Sequence, residues 1–203
     1  MTFEFRPGDR LNEGAIARQL GVSRTPLREA LNRLTVDGLL TFSPNQGFFR
    51  KPLEVKEIFD LYELRLQLET GAAKLAVERA SDEAIDEIDR FLDQSGEDRP
   101  ERTIEELVVI DEGFHERFMA LTGNAEMLRL LQHINARIHY VRIDMHARAD
   151  APMKHADHRA IIRLLRERDS EECAALLFRH IEHRLDQIIE AVRKCYARIY
   201  VPA

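Results

Sequence analysis

The stretch Gly21-Val22-Ser23-Arg24-Thr25-Pro26-Leu27-Arg28-Glu29-Ala30-Leu31 decides the reading of this chain. It has the layout of a turn followed by a helix that presents its first residues outward. Gly21 suits the left-handed backbone position that ends a preceding helix. Ser23 is placed to cap the next helix, and Pro26 falls in its first turn, where a missing N–H costs nothing. Arg24, Thr25 and Arg28 then stand at the amino end, on the side away from Leu27, Leu31 and Leu34. A helix that reads base edges in a major groove needs that arrangement. Arginine is the best bidentate partner of guanine, and it also binds phosphate. An ordinary arginine-bearing surface helix has the same spacing, so the surroundings must decide.

On the N-terminal side, Asn12 reads as the cap of a short helix reaching Leu20, with Ile16 and Leu20 one turn apart. On the other side the recognition helix stops at Gly38. Leu39–Ser43 and Phe48–Lys51 read as two short strands around the turn cluster Pro44-Asn45-Gln46-Gly47, which makes a wing. Lys51-Pro52 is the linker, because proline disfavours helix in the residue before it. Charge changes at the same place. Eight Lys/Arg against five acids give residues 1–52 a charge of +3; with −6 for the whole chain, residues 53–203 carry −9. A small basic domain joined to a larger acidic one fits a nucleic-acid module attached to a part that does not touch DNA. Residues 1–52 are therefore expected to bind DNA and residues 53–203 to form a second domain.

The second domain reads as entirely helical. Ile58, Leu61, Leu64, Leu68, Ala72 and Leu75 recur at three and four, predicting a helix from Leu53 to about Ala80. Ser81 caps the next, with Ile85, Ile88 and Leu92 on its apolar stripe. Gln94 to Pro100 is a polar loop. A third helix runs from about Glu101 to Leu121, and a fourth from the cap Asn124 to about Arg148. Ala149 to Pro152 breaks the pattern. A fifth helix holds His155 to Arg168. Asp169 with Glu172 reads as a capping box for the sixth, which reaches about Ile199. Six helices with short connections imply an antiparallel bundle, so the fold class is mainly α. Cys173 and Cys195 imply no disulfide framework, and a reducing, cytoplasmic setting is expected. Neither a signal-peptide pattern nor a run of the roughly 20 apolar residues needed to span a bilayer is present, so no membrane partner is expected.

Inside the bundle one constellation stands out. Asp111 and His115 are four apart on the third helix and project from one face, among Val108, Ile110, Phe114 and Phe118. A carboxylate on an apolar face is costly unless it is paired or bound to a cation. His158 runs in register with Ile161, Ile162 and Leu165, and His180 with Leu176, Leu177 and Ile181. Three histidines and a carboxylate on inward stripes of three helices can converge on one divalent ion, for which Zn, Ni, Mn and Fe all fit. One histidine on such a stripe is more often a hydrogen-bonded core residue than a ligand; the four together weigh the two readings about evenly. His155 and His183, one turn from His158 and His180, are candidates for an additional or substitute ligand. His133, His139 and His146 read as exposed or partly buried helix positions, and the cysteines as packing. Arg65 sits among Leu61, Leu64 and Leu68. It reads either as a fork for a ligand carboxylate or as the partner of Glu69 four residues on. Arg137 and Arg142 on the fourth helix are weaker candidates of the same kind.

The segment LNEGAIARQLGVSRTPLREALNRLTVDGLLTFSPNQGFF resembles the winged helix-turn-helix of the GntR family of bacterial transcription regulators, with the likeness continuous from Pro7 to Pro52. The resemblance implies operator contacts from Arg24, Thr25 and Arg28 and a wing glycine, Gly47, that enters the minor groove. Members of the family carry a further helix ahead of the part matching Pro7-Gly8-Asp9. The six residues before Pro7 are too few to form it, so that helix is expected to be missing here. Some members also place a DNA-contacting arginine where this chain has Gly14. EIFDLYELRLQLETGAAKLA, DEGFHERFMALTGNAEM and DHRAIIRLLRERDSEECAALLFRHI resemble the FCD effector-binding domain of FadR-type members. That likeness implies a metal held by Asp111, His115, His158 and His180, and effector contacts from Arg65 and Arg137.

The function expected from all this is a metabolite-responsive transcription regulator. It is expected to be a homodimer on palindromic double-stranded operator DNA, and a repressor released by a small organic acid bound at a divalent metal (Zn, Ni or Mn). The alternative is a metal-dependent hydrolase or lyase using the His/Asp site to activate water. Four protein ligands, no further base and the attached DNA module weigh against it. A third reading makes the metal purely structural.

Overall fold

A computed structural model describes residues 5–96, 101–146 and 151–200, without the side chains of 144, 146, 151–155, 183–187 and 194–200. The side chains of His146, His155, His183 and Cys195 and the end of the Gln94–Pro100 loop therefore lie outside the described residues. Two compact units are present, one of residues up to Glu54 and one spanning Val55–Cys195.

The first unit contains α1 (Glu13–Leu20), α2 (Arg24–Val36), β1 (Leu40–Ser43) and β2 (Gly47–Arg50). Asn12 caps α1 by accepting from the Ala15 N–H at 3.0 Å. Gly21 closes α1 with φ 66°, its N–H turned back to the carbonyls of Ala17 and Arg18. Ser23 occupies the cap position of α2 in extended conformation, but its side chain makes no capping bond. The strands pair antiparallel, with Phe42 opposite Phe48 and Ser43 opposite Gly47. Leu11, Ile16, Ala17, Leu27, Leu31, Leu40 and Phe48 form the core. Leu20, expected to bury with Ile16, is 62% exposed, and Leu34 near the end of α2 is exposed as well. Burial follows Ile16 and Ala17, so the inward stripe of α1 ends a turn before the helix does.

The second unit is a bundle of α3 (Val55–Arg79), α4 (Asp82–Ser95), α5 (Ile104–Ala120), α6 (Ala125–His146), α7 (Ala151–Glu167) and α8 (Ser170–Tyr200). α5 packs on α3, α4 and α6, and α7 packs on α3 and α4. One apolar core joins Ala72, Ala76, Ile85, Ile88, Leu92, Phe114, Phe118, Leu131, Ile161, Ile162, Leu165, Cys173 and Leu177. α3 is rotated from the simplest expectation. Leu64 is 43% exposed, while Arg65 and Glu69 are buried beside Leu61, Tyr62 and Leu66. The two charged residues turn inward because they meet each other and a group on α5.

Helix ends are fixed by side chains. Ser81 caps α4 through the Ala84 N–H at 3.2 Å. Asp169 caps α8 by accepting from the Glu172 N–H at 3.0 Å. The Glu172 carboxylate does not return the bond; it accepts from Arg179 at 2.7 Å. The reciprocal capping box lies instead at α5. The Glu106 N–H donates to the Thr103 hydroxyl at 3.2 Å, and the Thr103 N–H donates to the Glu106 carboxylate at 2.8 Å. α7 begins at Ala151, four residues before the expected start, with Pro152 tolerated in its first turn. Because α5 carries two of the candidate ligands, its cap matters to the site. Thr103→Ala is expected to lower the stability of the protein by about 1 kcal/mol. Urea unfolding followed by circular dichroism measures this, and the unfolding slope is expected to stay unchanged.

Candidate functional site

The exposed face of the first unit holds a cleft between α1, α2 and the wing. It is lined by Arg10, Asn12, Glu13, Arg24, Thr25, Arg28 and the wing residues Phe42 to Gly47. Arg24, Thr25 and Arg28 are all exposed along α2, while Leu27 and Leu31 on its other side are buried. The guanidinium of Arg28 lies 6.0 Å from the Phe48 ring centroid, and its Nε lies 3.5 Å from Glu13. Gly47 has φ 91°, and a Cβ there would sit 3.3 Å from the Glu13 carboxylate. A side chain at this wing position is therefore both strained and crowded. Arginines and a hydroxyl on one rim with a side-chain-free backbone on the other form a surface able to take phosphates and base edges.

In the second unit, α5, α7 and α8 bring Asp111, His115, His158 and His180 together. One ligand-type atom from each lies within 4.8 Å of the others, and all four residues are buried. His115 Nε2 is 3.8 Å and His158 Nε2 3.7 Å from the Asp111 carboxylate. The ring centres of His158 and His180 are 5.0 Å apart, and His158 stacks on Phe114 at 4.0 Å. The outward nitrogens of two rings are held by carboxylates absent from the sequence-based set. His115 Nδ1 lies 2.5 Å from Glu69, and His180 Nδ1 lies 2.9 Å from Asp157. Such bonds fix the ring tautomer, leave Nε2 to face the cluster and raise its basicity. Buried His115 Nε2 has no hydrogen-bond partner among the described residues. An orphaned imidazole nitrogen, two oriented rings and a carboxylate suit a divalent first-row ion such as Zn.

Three arginines surround this cluster or were expected to. Arg65, 1% exposed, donates from Nε to Glu69 Oε1 at 2.5 Å. Its buried Nη1 and Nη2 have no partner among the described residues. Both expectations for Arg65, ion pair and open fork, thus coexist in one side chain. Arg142 is fully buried, paired with Asp111, and donates to Asn135 at 3.2 Å. Arg137 is paired with Glu57 at the start of α3. His139 contacts Glu112 at 3.0 Å and is partly buried, as is His133. Cys173 is buried in the apolar core, and burial, with Asp169 nearby, pushes its thiol up to about 12. Sequence periodicity does not single out Asp157, and it gives Glu69 and Arg142 only secondary places. Glu69 had been seen only as a partner for Arg65, and Asp157 stands directly before His158.

Charge states follow from burial. Removal from water lowers His115 to about 3, opposed by Glu69 and reinforced by Arg65 and His158, so the ring is neutral. Burial alone raises Glu69, but Arg65 and the His115 hydrogen bond outweigh it and hold the carboxyl well below the usual carboxylate range. The hydrogen bond from His180 likewise lowers Asp157.

Against known proteins, residues 1–49 match the bacterial regulatory proteins of the gntR family, and residues 60–183 match the FCD domain. The Nta operon transcriptional regulator of Aminobacter aminovorans is 45% identical over 98% of this chain and 94% of its own length. This protein belongs to the GntR family of bacterial transcriptional regulators. Escherichia coli McbR/YncC shares the fold, with a TM-score of 0.81 at 22% identity over 92% of this chain and 89% of that one. A GntR regulator from Rhodococcus sp. RHA1 is 25% identical with a TM-score of 0.67, covering 92% of this chain and 90% of that one. Membership of this family of transcriptional regulators sets aside the hydrolase or lyase alternative. No helix among the described residues is long and apolar enough to cross a membrane.

A pH dependence follows. An unfolded histidine takes up a proton near pH 6.5, whereas folded His115 resists until about 3. Between those values the unfolded state binds the extra proton, so this contribution to stability is full above 6.5 and is lost as pH falls. Glu69 adds a loss of the same sign in the acid range. The chelator-treated protein is expected to lose up to about 1.4 kcal/mol per pH unit from His115 alone below pH 6.5. Denaturant titrations at pH 7.5, 6 and 5 check this, and stability that does not fall across them contradicts a neutral buried His115.

Proposed function

We propose that this GntR regulator senses a small carboxylate through a divalent metal held by Asp111, His115, His158 and His180, and that binding alters its hold on operator DNA. The observation that carries the reading is the buried cluster beside an arginine whose Nη1 and Nη2 are both without partners among the described residues. A buried guanidinium fork left open is costly unless a ligand completes it, and a carboxylate matches it in charge and shape. A bound divalent ion supplies concentrated positive charge and Lewis acidity to such a ligand. The chain's own residues do the rest. Glu69 and Asp157 orient two imidazoles, Arg65 binds the carboxylate, and Phe114 with the surrounding core excludes water. Arg137, on the Glu57 side, is the outer and weaker effector contact. Zn, Ni and Mn all suit the donor set.

In the winged unit, Arg24, Thr25, Arg28 and Gly47 are the DNA contacts. The protein acts as a homodimer with two recognition helices in successive major grooves, and it is a repressor that the effector releases. Effector binding changes DNA affinity to the extent that the ligand distinguishes two arrangements of the dimer.

Screening the metal-loaded protein by thermal shift against small carboxylic acids tests the sensing role, because a true effector raises the midpoint by mass action. A chelated sample is expected to lose that response. His180→Ala is expected to lower metal content in elemental analysis and to abolish the response while DNA binding persists. Metal loss that melts the bundle, with no acid giving a response, makes the metal structural instead. Arg28→Ala is expected to weaken operator binding by roughly 1–3 kcal/mol in mobility-shift titrations without altering the fold.

A further inference from the structure

Three buried groups on α3 and α5 stand in line. Among the described residues, Arg65 leaves Nη1 and Nη2 without partners at one end, and His115 leaves Nε2 without one at the other. Between them lies Glu69, 0% exposed, with Oε1 2.5 Å from Arg65 Nε and Oε2 2.5 Å from His115 Nδ1. One carboxylate therefore joins an open guanidinium fork to a ring that faces the candidate metal cluster.

We propose that Glu69 is a positioning residue that couples anion binding at Arg65 to metal binding at His115. This rests on the metal reading above and adds its sign and its route. A buried carboxylate shared by two donors divides its charge between them, and in a poorly polarisable interior little of that division is screened. When an anion occupies the Nη fork, Arg65 is neutralised and the charge of Glu69 acts more fully on His115. The imidazole then holds its Nδ1 proton in a stronger hydrogen bond, and Nε2 becomes a better donor to a cation. The repulsion between Arg65 and that cation is cancelled at the same time. Both effects tighten the metal, and by linkage the metal tightens the anion by the same factor.

Zn2+ affinity, measured on the full chain by competition with a chromogenic chelator, tests this without knowledge of the effector. Glu69→Gln is expected to weaken Zn2+ binding by roughly 10–100-fold. Arg65→Gln, which removes the charge as a bound anion would, is expected to tighten it. A residue that only supports packing would weaken Zn2+ binding when lost, so the sign of the Arg65→Gln effect separates the two roles. In the double variant Arg65→Gln/Glu69→Gln, the gain from Arg65→Gln is expected to shrink. Glu69→Gln leaves Arg65 as a buried uncompensated charge; if that variant does not fold, the neutral double variant is compared with Arg65→Gln and is expected to bind Zn2+ at least 10-fold more weakly. Wild-type protein that takes up no Zn2+ overturns the metal reading and the coupling with it. Tight wild-type binding that is unchanged by Glu69→Gln, or weakened by Arg65→Gln, overturns the coupling alone.

Discussion

The carboxylate of Glu69, buried between Arg65 and His115, is the constraint on which the bundle depends. An ionised carboxylate shut away from water costs several kcal/mol unless neighbours replace the lost hydration. Here the replacement comes from its own helix and from α5, so α3 and α5 are held in one rotation and one height. Asp111 and Arg142 impose the same kind of condition between α5 and α6. The apolar core around Phe114, Phe118 and Ile161 supplies bulk attraction but tolerates small slips between helices. Ion pairs at fixed distances do not. Deleting one member of such a pair is far more damaging than replacing both, because it strands a charge.

The two units solve different problems with different residues. The winged unit has a core of seven residues, and Phe48 at its centre is fully buried while neighbouring Gly47 stays open to the cleft. Arg24 and Arg28 stay exposed on α2, so a partner can reach them at little desolvation cost. In the bundle several charged residues are inside, and Glu69, Asp111 and Arg142 meet partners that are themselves buried.

Much of this was legible before any coordinates. Gly21, Asn12, Ser81 and Asp169 marked helix ends because caps act locally, within a few residues. The recognition helix, the wing and the convergence of Asp111, His115, His158 and His180 followed from spacing and from likeness to known sequences. What escaped were pairings across the fold. The rotation of α3 was missed because apolar periodicity favoured Leu64 over Arg65, and only the contact with His115 makes burying Arg65 and Glu69 worthwhile. Asp157 and Arg142 were unremarkable charged helix residues until partners 23 and 31 positions away stood beside them. The Thr103–Glu106 box is a local signal as well, and it moves the start of the third helix from the expected Glu101 to Ile104.

Gly113 lies between Asp111 and His115 on α5 but serves the other side of the helix. A Cβ there would stand 2.9 Å from the tip of the Phe91 ring and 3.1 Å from Arg117 Nη1. That ring is itself covered by Arg117, whose guanidinium lies 3.7 Å from its centre. The missing side chain lets α4 approach the back of the helix whose front carries two members of the cluster. Any larger residue must push α5 or the Phe91–Arg117 stack aside. A change at this one position can thus shift Asp111 and His115 from behind while all four side chains of the cluster keep their identity.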